Sequence, residues 1–198
     1  MVAALKIPDP MSLAEFLAWD APDDGHWQLV DGEARAMAPA SPVHAAIQSE
    51  LSRLLGNHLL ATGGKCRALA NPGVLPRVRS DSNFRIPDLA VMCSPLARGE
   101  STISDPILLI EILSPSNQAE TWANVWAYTT IPSVREIVVI RTATIGAQVL
   151  RRGADNTWPE VPLGIEEGDM TLESIDFRAP VGSLYAGTWL QDEDSTPN

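Results

Sequence analysis

Seven residues, Ile107 to Leu113 (ILLIEIL), constrain this chain more than any other stretch. A run that is apolar on both alternating faces is what a strand needs when it is covered on both sides. It predicts a central buried strand rather than an amphipathic surface one. Its single polar residue, Glu111, interrupts six aliphatic ones. A carboxylate buried without a partner is costly, so Glu111 requires a cation, a metal ion or a proton. The plain structural alternative is a buried salt bridge.

The elements around this strand read in order. Ser12 and Glu15 fit a capping box that opens a helix from Ser12 to Trp19. Trp27–Val30 and Ala34–Met37 read as a hairpin closed by Asp31-Gly32. Ser41-Pro42 starts a long helix whose Ile47, Leu51, Leu54, Leu55 and Leu59 recur at helical spacing, and Gly63-Gly64 ends it. Strands are predicted at Cys66–Leu69, Val74–Val78 and Ile86–Met92, then a helix at Asn117–Thr129 capped by Ser116 or Asn117. Val134–Ile140 and Ile145–Leu150 read as a second buried strand and its hairpin partner. From Gly153 the chain turns acidic and rich in Pro and Gly, with a short helix near Val181–Leu190. The pattern predicts an α/β or α+β fold, a mixed central sheet flanked by helices, with an N-terminal helix and hairpin. No linker splits it, so residues 1–190 are expected to form one domain and 191–198 a mobile acidic tail.

Composition narrows the function. The 198 residues are 45% hydrophobic and 20% charged, as in a globular protein. No apolar run reaches the roughly 20 residues of a membrane helix. MVAALKIPDP lacks the shape of a signal peptide. A cytoplasmic protein is expected, with Cys66 and Cys93 as reduced thiols, too few for a zinc site of their own. The net charge of −11 argues against a nucleic-acid binder, but it is unevenly spread. Residues 160–198 hold nine acids and one base, Arg178. Between Lys65 and Arg85 stand five bases and one acid, which makes either a basic patch or a solvated hairpin face. There is no G-x-S-x-G elbow, no Walker A loop and no G-x-G-x-x-G, which leaves a Ser/His/acid triad or a nucleotide cofactor without support.

Arg85-Ile86-Pro87-Asp88 opens the strand before the buried one, with Pro87 where a strand tolerates it. Asp88 would then stand beside Glu111 on a neighbouring strand. Two carboxylates so placed can share a hard cation such as Mg²⁺, with water completing the shell.

These segments together — WQLVDGEARAMAPASPVH, FRIPDLAVM, PILLIEILSPSN and a helix ending at Tyr128 — resemble the Uma2 (DUF820) family. That family is similar to restriction endonucleases of the PD-(D/E)XK superfamily. The resemblance runs from about Met11 to Leu150. It implies a restriction-endonuclease-like core and a DNA endonuclease dependent on Mg²⁺, with Mn²⁺ as a possible substitute. It implies metal ligation by Asp88, Glu111 and the Ile112 carbonyl. It also implies a helix face, Glu120, Asn124 and Tyr128, turned toward the site. His44 would face the site as a contact for phosphate or metal-bound water, unless it only bonds a loop carbonyl. Two departures stand out. The superfamily's lysine two residues after the glutamate is Leu113 here, and the helix lysine usual in such proteins is Asn124. A frequent acid before the hairpin turn is Gln28. With only two lysines in the chain, Lys65 and Arg85 are the candidate replacements as phosphate contacts. A non-catalytic protein that keeps the fold, as an interaction module or a nucleic-acid binder, is the competing reading. A homodimer is expected, since two-fold dimers suit cutting of both strands. Trp122 and Trp126, four apart, read as packing or a dimer surface, and His26 and His58 as surface residues.

Overall fold

The computed structural model describes residues 10–194. Helix α1 (Leu13–Leu17) is one short turn, stopped sooner than expected, and both halves of its capping box form between Ser12 and Glu15. Strands β1 (Trp27–Val30) and β2 (Glu33–Ala36) make a separate two-stranded sheet. Their turn, Asp31-Gly32, has positive φ at both positions, which suits the right-handed twist of a tight hairpin. Leu29 and Phe84 exchange two main-chain hydrogen bonds of 2.9 Å and tie this hairpin to the segment before Asp88.

Helix α2 (Pro42–Ala61) begins on the Ser41 cap with Pro42 at its first position. Its buried stripe is His44, Ile47, Leu51, Leu55 and Leu59. The central sheet has six strands: β3 (Arg67–Ala70), β4 (Leu89–Met92), β5 (Pro106–Leu113), β6 (Glu136–Arg141), β7 (Ala147–Arg151) and β8 (Leu163–Ile165), in that spatial order. Only β5 and β6 run parallel, because helix α3 (Gln118–Tyr128) carries the chain back between them. Asn117 is the α3 cap position, but its side chain makes no capping bond.

The apolar run is explained by its surroundings. Leu108, Ile110 and Ile112 of β5 pack on the α2 side with Ile47, Leu51 and Leu55. Leu109 and Leu113 pack on the α3 side with Val125 and Tyr128. Each face of β5 therefore removes apolar area from water, at about 25 cal/mol per Å².

The acidic C-terminal stretch is more ordered than its composition suggests. Strands β9 (Asp169–Leu172) and β10 (Phe177–Pro180) form a hairpin that turns Met170, Leu172, Phe177 and Ala179 into the α2-side core. Buried Glu136 pins it. That carboxylate accepts from Arg151 Nε at 2.8 Å and from the main-chain N–H groups of Glu173 and Ser174 at 3.0 and 2.7 Å. A 3-10 turn (Val181–Tyr185) and helix α4 (Trp189–Asp194) follow, so residues 191–194 are helical, and 195–198 lie outside the described residues.

Four expectations need correction. Cys66 and Cys93 are not free thiols; they flank the paired residues Arg67 and Met92 and form a disulfide. Val74–Val78 is not a strand: Val74 alone bridges to Arg85, and the chain turns beyond Pro76. The bases from Lys65 to Arg85 make no single patch. Lys65 is exposed at one end of β3, Arg79 pairs with Asp31, and Arg85 is buried. His58 is half-buried, with Nε2 2.8 Å from the Ile175 carbonyl. Among the described residues no helix is long and apolar enough to cross a membrane.

Candidate active site

The site begins where a ladder stops. Strand β4 starts at Leu89, which pairs with Ile110, so β5 beyond Ile110 has no strand on that side. The Ile112 N–H donates instead to Asp88 Oδ2, at 2.6 Å. The N–H and C=O of one strand residue point to the same side, so the Ile112 carbonyl also opens toward Asp88. The other carboxylate oxygen, Asp88 Oδ1, lies 2.9 Å from His44 Nε2. The Asp88 carbonyl accepts from Asn71 N at 3.1 Å and Gln48 Nε2 at 2.8 Å, which fixes the residue from behind.

Glu111 points to the α3 side. Its Oε1 accepts the Tyr128 hydroxyl at 2.7 Å and the Asn124 amide at 3.4 Å. Asn124 and Tyr128 are one turn apart and share a helix face. Burial first, and then the charge of Asp88, push Glu111 well above the usual carboxylate range, while the bonds from Tyr128 and Asn124 act the other way without overcoming them. Burial also pushes the Tyr128 hydroxyl well up, so it stays a donor. The outcome is a carboxyl whose charged form is disfavoured where it stands.

Seven of the nine residues read from the sequence therefore converge: Asp88, Glu111, Ile112, His44, Asn124, Tyr128 and, through Asn124, Arg85. Two do not. Lys65 lies beyond the Met92 end of the β3–β4 pair, whereas Asp88 precedes Leu89 at the opposite end. Glu120 is exposed one turn before Asn124 and influences Glu111 by charge alone. Gln28 is buried and holds the Ile86 N–H at 3.2 Å, just before Pro87. Two residues were missed. Gln48 was readable, since it follows His44 by four on α2. Asn83, which bonds Arg85 Nη2 at 2.8 Å, carried no periodic signal.

No group of three or more His, Cys, Asp and Glu side chains stands at metal-binding spacing among the described residues. The donor set includes main chain, however. Two carboxylates and the Ile112 carbonyl are hard oxygen donors of the kind Mg²⁺ takes. A carboxyl that burial has made reluctant to ionise is also one that gains from an adjacent cation. The residues present fit such an ion.

A six-stranded mixed sheet with a helix on each face, and an acid pair where two strands part, defines a restriction-endonuclease-like domain. The chain belongs to the Uma2 family, described as "Putative restriction endonuclease", whose pattern it matches over residues 13–180. The match reaches past Leu150 to include the C-terminal hairpin. An uncharacterized protein of Synechocystis sp. is 27% identical over 180 residues, 89% of this chain and 92% of that protein. The crystal structure of "a putative nuclease belonging to DUF820" from Anabaena variabilis superposes with a TM-score of 0.73 at 17% identity. The match covers 89% of this chain and 98% of that one, and it shows the fold.

Proposed function

We propose that this chain is a Mg²⁺-dependent endonuclease that hydrolyses phosphodiester bonds in DNA. One observation carries the reading. Buried Glu111 precedes Ile112 at a strand end where the Ile112 N–H donates to Asp88 Oδ2, so the Ile112 carbonyl faces the same side as Asp88. Asp88, Glu111 and the Ile112 carbonyl would hold Mg²⁺, with Mn²⁺ as a substitute. Such an ion lowers the pKa of bound water and stabilises negative charge on phosphate. The chain's own groups do the positioning. Tyr128 and Asn124 hold Glu111 Oε1, His44 holds Asp88 Oδ1, and Ile112 N–H holds Asp88 Oδ2. A homodimer would bring two such sites to the two strands of a duplex.

Asn124 offers an amide where a charged donor would help most. The loss of a positioned donor costs roughly 10²–10³ in rate. Slow turnover is expected, and the same observation favours, as a second reading, a non-catalytic protein that only binds nucleic acid. Calorimetric titration with Mg²⁺ and Mn²⁺, beside plasmid cleavage, separates them. Metal binding and cleavage that both vanish in Asp88→Ala and Glu111→Ala support the nuclease. Cleavage undiminished in Asp88→Ala would remove the site assignment. Metal-free wild-type protein that still binds DNA would favour the second reading.

A further inference from the structure

Strand β3 is the outermost strand of the central sheet and pairs with β4 alone. A short strand held on one side needs burial or a staple to stay closed. Burial supplies little here. From Cys66 to Ala70, only Cys66 and Ala68 pack on the α2-side core, and both are small and partly buried. The staple is the Cys66–Cys93 bridge, one residue beyond the Arg67–Met92 pair.

The other end of β3 runs into the candidate site. Asn71 follows its last residue, Ala70. The Asn71 N–H donates to the Asp88 carbonyl at 3.1 Å, and Asn71 Oδ1 accepts from Gln48 Nε2 at 2.9 Å. The same Gln48 nitrogen donates to the Asp88 carbonyl at 2.8 Å. The main chain of Asp88 is thus clasped by the end of β3, and from that clasp its carboxylate reaches the Ile112 N–H and His44. Cys66 and Asn71 are about 17 Å apart along the strand, so the bridge and the clasp hold two ends of one short element.

The bridge is reachable. Both cysteines are half-buried, and Cys93 lines a cleft of about 400 Å³ whose charged residues are Arg135, Arg152 and Asp105. Cations beside a cysteine favour its thiolate, the form that exchange releases.

We propose that the Cys66–Cys93 bridge is a redox latch on this site: a dithiol in solution opens it, β3 loosens, and the clasp of Asn71 and Gln48 on Asp88 is released, so the reduced protein holds a divalent cation more weakly. The step is thiol–disulfide exchange. A thiolate of the reductant attacks one sulfur, and the other cysteine leaves as a thiolate and takes up a proton. The second thiol of the reductant then displaces the remaining cysteine. The chain gains two electrons and two protons, and the dithiol becomes a disulfide. This rests on the metal-site reading above and adds its regulation.

The test uses the full chain, either oxidised or reduced with dithiothreitol that is then removed under argon. Mass spectrometry after alkylation confirms each state, and circular dichroism should show both folded. Mn²⁺ titration by calorimetry should give an affinity on the order of 10-fold weaker for the reduced chain, since only the fraction with β3 closed binds well. Amide hydrogen exchange should quicken most over residues 67–71. The double variant Cys66→Ser, Cys93→Ser should bind Mn²⁺ as the reduced chain does and should not respond to dithiothreitol. Equal Mn²⁺ affinity in both redox states, or exchange over 67–71 that quickens no more than in β5, overturns the latch alone. Loss of the folded spectrum on reduction also overturns it, and leaves the bridge a staple of the whole fold. Oxidised protein that binds no Mn²⁺ overturns the metal site and the latch with it.

Discussion

Replacing Tyr128 by Phe removes one oxygen and leaves the ring where it is, fully buried between α3 and β5. No cavity opens. What is lost is the 2.7 Å bond to Glu111 Oε1, leaving that oxygen only the longer 3.4 Å contact from Asn124. A hydrogen bond to a neutral acceptor is worth about 1 kcal/mol, and one to a charged group about 1.5–3 kcal/mol. The cost must therefore depend on whether Glu111 is ionised. Glu111 in the fold sits well above the usual range, so between that range and its raised value the folded chain keeps a proton that the unfolded chain has lost. Stability then falls as pH rises through this window. The Tyr128 bond is the largest influence lowering Glu111, so its loss moves the fold's proton release higher still. The deficit of Tyr128→Phe should be about 1 kcal/mol at the acid end and widen to about 1.5–3 kcal/mol at the alkaline end. For a chain of this size that upper range is a fall in Tm of about 3–12 °C. Urea unfolding of both proteins in a pH series from about 5 to 9, without divalent metal, measures it. A deficit that stays constant through the pH range in which wild-type stability falls would show that Glu111 ionisation is not coupled to Tyr128, and the reasoning would fail.

Three further outcomes follow from the same contacts. Asp88→Asn keeps an acceptor for the Ile112 N–H, whereas Asp88→Ala leaves that donor unpaired; the alanine variant should be less stable by about 1–3 kcal/mol in urea unfolding, while both lose metal binding in calorimetry. Equal stability would mean that Ile112 finds another acceptor. Reduction of the Cys66–Cys93 bridge, which spans 27 residues, should cost about 3–4 kcal/mol as read from unfolding with and without dithiothreitol. Glu136→Ala leaves Arg151 and two main-chain donors without their shared acceptor, and should destabilise by about 3–5 kcal/mol and open the β9–β10 hairpin to limited proteolysis. A loss under about 1 kcal/mol would mean that the apolar face of the hairpin holds it unaided.

Legibility in the sequence followed the range of the interaction. The Ser12–Glu15 box, the Ser41-Pro42 start of α2 and the apolar run of β5 are set by neighbours in the chain, and each appears where it was read. The acid pair was legible because Pro87 marks a strand start and Glu111 is conspicuous among aliphatic residues. What failed depends on register. Lys65 looked available until β3 and β4 paired antiparallel and carried it to the far end, and the same pairing brought Cys66 against Cys93. The β9–β10 hairpin was hidden by composition. Its alternation of exposed and buried residues, Asp169 to Leu172, is four residues long and lies among acids that suggest a loop. The role of Glu136 had no local signal, since its partners at 173 and 174 are distant in sequence.

The early end of β4 has a consequence for how this site passes through a lineage. Asp88 fills a gap in the backbone ladder as well as lying in the candidate site, so a relative without catalytic activity would still be selected to keep a short acceptor there. An aspartate at this place in a relative is therefore poor evidence of a working enzyme. Glu111 has no such second duty. Its acceptor role serves Tyr128 and Asn124, and a drift to apolar residues at positions 111 and 128 together would cost the fold little. Among relatives, the glutamate and its tyrosine are the pair whose joint persistence marks a site still in use.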